Sequence, residues 1–223
     1  MRESGAKNTV RKMGKLAAPI RRVNHGTGRG LFRCVGFLGL ALYALGSCQR
    51  TSHESSSSSG VSAQDAFRQP HKLIAALSLQ PGQRVAEIGA GGGYLTPYLA
   101  QAVGPKGQVM ATDVDEAALG ALRRRTDKLP QVTTQKVRAS ESGLVPAHYD
   151  LILLADVFHL VPQPDRYLSA LFVSLRAGGR IVVSGRIDRR AILEQAATQA
   201  GLTLSELSVE LPAQFVTEVR RAK

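Results

Sequence analysis

The sequence predicts an α/β fold in which a doubly wound, mostly parallel sheet carries helices on both faces. Between residues 64 and 223, short apolar runs with β-branched residues alternate with segments of helical periodicity. The run Tyr149–Ala155 is almost continuously apolar, as expected of a central strand covered on both faces. The run that ends at Ile88 enters a helical segment through several glycines, which is typical of a strand–turn–helix unit in such a sheet.

The elements of this sheet can be assigned in chain order. A helix with an apolar stripe starts at Pro70 and is closed by Pro81 and Gly82, so it should pack on the sheet and cover a ligand site. Asp115 is the expected N-cap of the helix after the second strand. Strands are predicted at residues 85–88, 108–112, 132–138, 149–155, 180–185, 202–210 and 215–219. Further helices are predicted after residue 94, from residue 165 and at residues 189–199, with Gly178–Gly179 as a structural turn before the fifth strand.

The segment Arg84–Tyr94, which reads R-V-A-E-I-G-A-G-G-G-Y, is where the sequence predicts a ligand. Glycines after a strand let backbone N–H groups approach a bound molecule, because no Cβ intervenes. A dinucleotide fingerprint needs glycine at the sixth position, which is Tyr94 here, and the Glu87 carboxylate would repel a pyrophosphate but attract a cation. No Lys-Ser or Lys-Thr follows, which disfavours a phosphate-cradling loop. A glycine turn that binds nothing is the alternative.

A second candidate contact is Asp113, which ends the second predicted strand 24 residues after Gly89. This spacing is close to the roughly 20 residues at which an acidic side chain meets ribose hydroxyls in comparable folds. A carboxylate suits that position because it accepts hydrogen bonds from both hydroxyls of a diol.

The E-x-G-x-G-x-G pattern resembles motif I of class I S-adenosylmethionine-dependent methyltransferases. The resemblance covers the whole domain, since D-V-D-E, Y-D-L-I-L-L-A-D-V-F-H, L-R-A-G-G-R-I-V-V and L-P-A-Q-F follow the glycine segment in the order found in small members of that family. It implies a Rossmann-like sheet of seven strands with the last strand antiparallel, and S-adenosylmethionine as cofactor. The cofactor-binding residues that it implies are Glu87, Gly89, Ala90, Gly91, Gly93, Asp113, Val114 and, for the adenine, Ser140 or Glu141.

The same resemblance places Asp156–His159 beside the methyl acceptor. Methyl transfer from a sulfonium needs alignment more than acid–base chemistry, so the lack of a triad pattern is no objection. Asp156 and His159 are the catalytic candidates, and a histidine packed at a strand end is the equally available alternative. No Asn-Pro-Pro-Tyr-type motif occurs, which disfavours an amino acceptor on DNA or glutamine and leaves the acceptor open.

The basic charge of the chain is concentrated ahead of the predicted domain. The formal net charge is +12, from 29 Lys and Arg against 17 Asp and Glu, and residues 1–50 contain ten of these bases but one acid. The rest of the chain is close to balanced, so the net charge does not indicate a nucleic-acid partner.

Residues 1–48 indicate a basic leader with an apolar signal or anchor segment. The uncharged run Cys34–Ser47 is short for a membrane span of about 20 residues but suits a signal-peptide core of about 7–15. It ends in L-G-S-C, which resembles the lipobox of bacterial lipoproteins and implies lipidation of Cys48. The Ser-rich residues 49–63 predict a flexible tether to a domain at 64–223. The predicted location is the membrane of a bacterial cell envelope, with an uncleaved anchor or a cytoplasmic protein as alternatives.

The cysteines and the leader also bear on the choice of function. Cys34 and Cys48 are the two cysteines of the chain, so no disulfide, zinc cluster or thiol nucleophile is expected in the domain. A leader of this kind would carry the domain out of the cytoplasm, where S-adenosylmethionine is not expected. The rival hypothesis is therefore a lipid-tethered domain that keeps the fold as a non-catalytic binding module. The intact Glu87, glycines and Asp113 favour the enzyme.

Overall fold

A seven-stranded sheet is the framework of residues 68–222, the part of the chain that this computed structural model describes. Its strands are β1 Arg84–Ile88, β2 Gln108–Asp113, β3 Val132–Lys136, β4 Tyr149–Ala155, β5 Leu175–Arg186, β6 Leu202–Glu206 and β7 Gln214–Arg221. The leader at 1–48 with Cys48, the tether at 49–63 and the first residues of the predicted domain, 64–67, lie outside the described residues.

The strand order is β3-β2-β1-β4-β5-β7-β6, with parallel pairing from β3 through β5. Strand β7 is antiparallel to both of its neighbours, β5 and β6, which confirms the predicted seven strands and antiparallel last strand. The chain runs outward from β1 to β3 and then returns to β4 on the other side of β1. The carboxyl ends of β1 and β4 therefore form the point where the strand order reverses, which is where open α/β sheets bind ligands.

Helices cover both faces of the sheet, as the sequence predicts. They are α1 Pro70–Ala76, α2 Thr96–Val103, α3 Glu116–Arg125, α4 Pro164–Ser174 and α5 Arg190–Gln199. Successive side chains of a strand point to opposite faces, so Leu151 and Leu153 of β4 pack toward α1 and α2, whereas Ile152 and Leu154 pack toward α4 and α5. Helix α3 packs on β2 through Leu119 and Leu122, which contact Ala111. The predicted continuous apolar strand is thus buried on both sides.

Helix α3 begins as its sequence predicts. The side chain of Asp115 accepts a hydrogen bond from the backbone N–H of Ala117 at 2.8 Å, which confirms Asp115 as the N-cap. Arg123 and Glu116 form an exposed ion pair at 2.6 Å on the same helix. The basic end of α3 is therefore a solvated surface.

The glycine pair Gly178–Gly179 lies inside β5, which corrects the predicted turn ahead of that strand. Strand β5 starts at Leu175, directly after α4, and pairs with Tyr149 there. The register then shifts, because Leu151 pairs with Arg180 and the intervening residues of β5 are accommodated as an irregularity. Gly178 has φ +79, a left-handed conformation that favours glycine.

Three predicted element ends are also corrected. Helix α1 ends at Ala76, before the predicted Pro81-Gly82 stop, because Ser78 adopts a left-handed φ of +47. Strand β3 ends at Lys136 because its pairing partner, Asp113, is the last residue of β2. Strand β6 ends at Glu206, four residues short of the predicted end.

We predict opposite stability changes for two glycine substitutions. A Cβ at Gly179 would lie 2.6 Å from the backbone oxygen of Tyr149, so Gly179→Ala should cost about 1–3 kcal/mol of unfolding free energy. Gly120 lies within α3 with ordinary space around its added Cβ, so Gly120→Ala should stabilise by about 0.5–1 kcal/mol. Denaturant unfolding of the two variants measures both changes, and equal effects would contradict the assignment of Gly179 as a close-packed position.

Candidate functional site

A cavity of about 270 Å³ opens at the carboxyl ends of the central strands, beside the reversal point between β1 and β4. It is lined by Ile88 of β1 and Asp113 of β2, and by Gly89 and Asp156, which directly follow β1 and β4. Its volume is close to the lower end of the range of ligand pockets, about 300–1,000 Å³. The remaining lining residues are Val114, Val137, Arg138, Ala139, Glu141, Val157, Leu160, Val161 and Tyr167.

The glycines after β1 serve different physical needs. A Cβ at Gly89 would lie 2.4 Å from a methyl group of Val157, so only glycine lets the turn pack against the segment after β4. A Cβ at Gly93 would lie 2.8 Å from Leu122, so Gly93 allows close packing against α3. Gly91 has open space around it, but its φ of +54 favours glycine. Gly89 lines the cavity, whereas Ala90 is buried in the contact with α3.

Asp113 ties this turn to the end of β2. One carboxylate oxygen accepts the backbone N–H of Gly91 at 2.7 Å and the other accepts that of Asp115 at 2.9 Å. The N–H groups of Gly89 and Ala90 donate to the carbonyl of Thr112, at 2.8 and 3.0 Å. An ionised carboxylate has about four acceptor sites, so Asp113 retains capacity for hydroxyl groups on the cavity side. The Gly91 N–H, however, is already paired within the protein.

Glu87 is a buried carboxylate beneath the first turn of α2. Its side chain is 3% exposed and accepts a hydrogen bond from the Thr96 hydroxyl at 2.6 Å. Burial raises the pKa of Glu87 from 4.5 to about 7; the Thr96 hydrogen bond opposes this rise and the nearby Asp113 charge adds to it. Glu87 does not line the cavity, so the structure places this implied cofactor contact behind the glycine turn.

On the β3 side of the cavity, the structure distinguishes the two residues proposed for the adenine. Glu141 lines the cavity, and its exposed carboxylate faces Arg138 at 3.5 Å. Ser140 lines a neighbouring depression together with Gly143 and Leu144. Val114 lies on the same cavity with 53% of its side chain exposed, so it offers an apolar surface to a planar base.

The two catalytic candidates lie in different positions. Asp156 lines the cavity in a left-handed backbone conformation, φ +56, which aspartate tolerates better than most residues. His159 does not line it. Burial and the nearby Arg189 lower the pKa of His159, against the opposing effects of Asp156 and Asp188, so its imidazole is neutral at neutral pH.

Several lining residues were missed by the sequence reasoning. Tyr167 reaches the cavity from α4, and Val161 from the connection before that helix. Arg68, which precedes α1, forms an ion pair with Asp156 at 3.4 Å. None of these positions carries a local sequence signal, because Tyr167 and Val161 reach the cavity, and Arg68 reaches Asp156, only through tertiary packing.

The residues present fit an adenosine-type ligand. The apolar residues on the cavity, including Val114, Val137 and Leu160, suit a base. Asp113 suits a ribose diol, and the absence of a side chain at Gly89 keeps that wall of the cavity open. Carboxylates at Asp113 and Asp156 suit a ligand with positive charge near the sugar. The fold and the cavity together define a Rossmann-like α/β domain with a ligand cavity beside the point where the strand order reverses.

The comparisons agree with this class. Residues 86–181 match the family described as a methyltransferase domain. The chain is 31% identical over 107 residues to the ubiquinone/menaquinone biosynthesis C-methyltransferase UbiE of Vibrio vulnificus, covering 47% of this chain and 41% of the relative. It is 32% identical over 111 residues to the same enzyme of Burkholderia mallei, covering 49% and 46%. Residues 86–181 are therefore similar to a methyltransferase domain, and the chain spans less than half the length of these curated relatives.

Solved structures show the same fold. A SAM-dependent methyltransferase from Aquifex aeolicus superposes with a TM-score of 0.63 at 21% identity, covering 72% of this chain and 94% of that one. An S-adenosylmethionine-dependent methyltransferase from Mesorhizobium loti gives a TM-score of 0.58 at 16% identity, covering 71% and 99%. These likenesses establish the architecture.

Two features are absent from residues 68–222. Within this range, no three His, Cys, Asp or Glu side chains are grouped as a metal site would require. No helix in the same range has the length and apolar character needed to cross a bilayer.

The raised pKa of Glu87 predicts a pH-dependent stability. The folded protein holds a proton on Glu87 that the unfolded chain releases above pH 4.5, so this stabilisation is fully present below pH 4.5. It is lost as the pH rises through about 7, by roughly 3 kcal/mol in all. Glu87→Gln removes this titration. The unfolding free energy of the variant, relative to that of the wild type, should therefore increase as the pH rises from 5 to 8.

Denaturant unfolding across this pH range measures the effect, and Thr96→Val is the matched control. The Thr96 hydrogen bond lowers the pKa of Glu87, so its removal should move the pH window upward. If the unfolding free energy of Glu87→Gln depended on pH as steeply as that of the wild type, the proposal that burial raises the pKa of Glu87 would be wrong.

Proposed function

We propose that the full-length protein transfers a methyl group from S-adenosylmethionine to an acceptor molecule. The observation that carries this proposal is the Asp113 carboxylate, which lines the cavity while it holds the glycine turn through Gly91. A rigid acidic side chain at the end of β2, next to an apolar wall, is the arrangement that a nucleoside with a cationic chain requires.

Each group of residues has a separate task in the proposed mechanism. S-adenosylmethionine supplies an activated methyl group on a sulfonium. The cavity walls hold the adenosine part and exclude water, and Asp113 orients the sugar by accepting from its hydroxyls. Glu87 fixes the start of α2 through Thr96, so it positions the turn from behind. Asp156 borders the open side, where the acceptor would approach.

The neutral imidazole of His159 could accept a proton from an acceptor group. It lies three residues beyond Asp156 on the same short segment, but the cavity does not include it. We therefore propose Asp156 as a residue that borders the acceptor, and His159 as a base only for an acceptor that extends past the cavity.

The acceptor is a separate question from the cofactor. The relatives are named for C-methylation in ubiquinone and menaquinone biosynthesis. The family match ends at residue 181, within β5, and thus leaves out α5, β6 and β7.

We predict that Asp113→Ala lowers the affinity for S-adenosylmethionine about ten- to a hundredfold. The substitution removes charge-assisted hydrogen bonds worth about 1.5–3 kcal/mol. Isothermal titration calorimetry with the full-length protein measures the change. Asp115→Ala is the matched control, since it removes the helix cap and about 1 kcal/mol of stability but leaves the cavity intact.

Two outcomes would count against the proposed methyltransferase activity. No binding of S-adenosylmethionine to the wild-type protein at millimolar concentration would refute the proposal. Binding at this site without methyl transfer to any acceptor in an extract from the source cells would favour the alternative, a lipid-tethered binding module.

We also propose that the protein is a lipoprotein of a bacterial cell envelope, anchored through Cys48. The sequence supports this with a basic leader, an uncharged run of signal-peptide length and small residues before Cys48. The Ser-rich residues 49–63 would then separate the lipid from the domain.

Cys48→Ser should release the protein from the membrane fraction and abolish its labelling by a fatty-acid probe. The physical reason is that the acyl chains would supply the affinity for the bilayer. Cell fractionation and metabolic labelling measure the two effects, and Cys34→Ser is the control. Membrane partition that persists without any labelling would indicate an uncleaved anchor, and a wild-type protein in the soluble fraction would indicate a cytoplasmic location.

A further inference from the structure

A second cavity opens at the opposite end of the sheet, at the amino ends of β2, β3 and β4. Its volume is about 410 Å³, against about 270 Å³ for the cavity at the carboxyl ends. Met110 and Thr133, which are paired in neighbouring strands, line it. Lys106, Gln131 and His148 line it from the segments that lead into the three strands. The proposed methyl transfer does not use this amino-end cavity.

The two cavities differ in the charge of their walls. Asp113, Glu141 and Asp156 line the cavity at the carboxyl ends, together with one arginine, Arg138. The described residues that line the amino-end cavity include no Asp or Glu, whereas Lys106 brings an ammonium group to it. Lys106 is exposed and forms no ion pair within residues 68–222. The amino-end cavity therefore favours an anion, since no carboxylate in its described wall opposes one.

A second cation stands beside this cavity. Nη1 of Arg84 lies 3.5 Å from Nδ1 of His148, and His148 lines the cavity. Because a guanidinium can only donate hydrogen bonds, Nδ1 of His148 is the acceptor and its Nε2 carries the N–H. His148 thus offers one donor, and Arg84 adds a positive charge and a planar set of donors.

The carboxylate nearest to Arg84 is already satisfied by other groups. Asp150 accepts the backbone N–H of Arg84 at 2.8 Å, and its other oxygen forms an ion pair with Arg176. The side chain of Asp150 is 5% exposed, so it is withdrawn from the surface. The guanidinium of Arg84 therefore remains available to a ligand.

The end of helix α2 does not require Lys106 as a cap. Helix C-termini attract cations, because their last carbonyl groups lack partners within the helix. Here the carbonyl of Ala100 accepts from Nε2 of Gln131 at 3.2 Å, and that of Val103 accepts from the backbone N–H of Gly82 at 2.8 Å. Other donors thus satisfy this end of α2, and the ammonium of Lys106 is left for a ligand.

We propose that the amino-end cavity binds a phosphate group. Lys106 and Arg84 provide two positive charges, and with His148 they present donors, which is what the acceptor oxygens of a phosphate dianion require. The volume of about 410 Å³ lies within the range of ligand pockets, about 300–1,000 Å³, so the cavity also has room for part of the molecule that carries the phosphate. That molecule is a soluble phosphorylated compound or a lipid with an anionic headgroup.

The first test measures inorganic phosphate binding to the full-length protein by calorimetry at constant ionic strength. The wild type should bind with a Kd of about 0.1–1 mM, as two or three charge-assisted hydrogen bonds allow. Lys106→Gln and Arg84→Gln should each weaken binding about tenfold. Lys72→Gln is the matched control, because Lys72 is an exposed lysine of α1 that lines neither cavity, and its affinity should equal that of the wild type. Saturating S-adenosylmethionine should not displace the phosphate, since the two cavities lie at opposite ends of the sheet.

A second test distinguishes the two sources of phosphate. Full-length Cys48→Ser, which cannot carry an acyl chain at that position, is sedimented with vesicles of phosphatidylglycerol and with vesicles of phosphatidylcholine. The basic leader contributes equally to all variants, so only the differences between them report on the cavity. For a lipid source, adding Lys106→Gln should lower the affinity for phosphatidylglycerol vesicles about fivefold, the effect of about one basic residue at such a surface, whereas Lys72→Gln should not. Equal vesicle binding by the two variants, with inorganic phosphate bound as above, would assign a soluble compound.

Three outcomes would overturn the proposal. The first is that neither inorganic phosphate nor vesicle binding depends on Lys106. The second is that Lys72→Gln loses as much affinity as Lys106→Gln, which would mean that any surface cation contributes. The third is displacement of the phosphate by S-adenosylmethionine, which would place the anion in the other cavity. A lower melting temperature of Lys106→Gln with unchanged affinities would identify Lys106 as a helix-end cation only. A failure to bind S-adenosylmethionine would refute the proposed methyl transfer and leave this proposal intact.

Discussion

The hydrogen bonds between the glycine turn and the end of β2 are the interaction on which the rest of the site depends. The carbonyl of Thr112 accepts two N–H groups of the turn, and the Asp113 carboxylate accepts a third from Gly91. These bonds fix the turn after β1 against the carboxyl end of β2. On the other side, Gly89 lies so close to Val157 that no side chain could stand between them. The turn is thus fixed from β2 and from the segment after β4, and the cavity forms between these contacts.

A second constraint is the placement of acids and bases around that turn. Glu87 lies behind it, buried and with a raised pKa, whereas Asp113 and Asp156 face the cavity. Several carboxylates within one small region repel one another unless cations are nearby. Arg68 supplies such a cation to Asp156 from outside the sheet. Helix α1 therefore does more than cover a hydrophobic face, since its position brings a charge to the edge of the site.

Much of this arrangement could be predicted from the sequence, because it depends on local chemistry. The continuous apolar run of β4, the glycines after β1 and the Asp115 cap each follow from what neighbouring residues require. The ends of the elements and the place of the glycine pair in β5 were harder to predict from the sequence, because strand pairing determines them. Strand β3 stops where β2 stops, and Gly178 and Gly179 absorb a register shift against β4.

The sequence by itself determined the fold class, the strand–turn–helix unit that holds Gly89 and the acid that follows it at Asp113. It could do so because glycine, proline and aspartate impose backbone geometry on their immediate neighbours. Only the tertiary structure decided that Glu141 and not Ser140 lines the cavity, that Glu87 is buried behind the turn, and that Arg68 meets Asp156. These facts depend on packing between segments far apart in the chain, and no local spacing encodes which side chains such packing brings together.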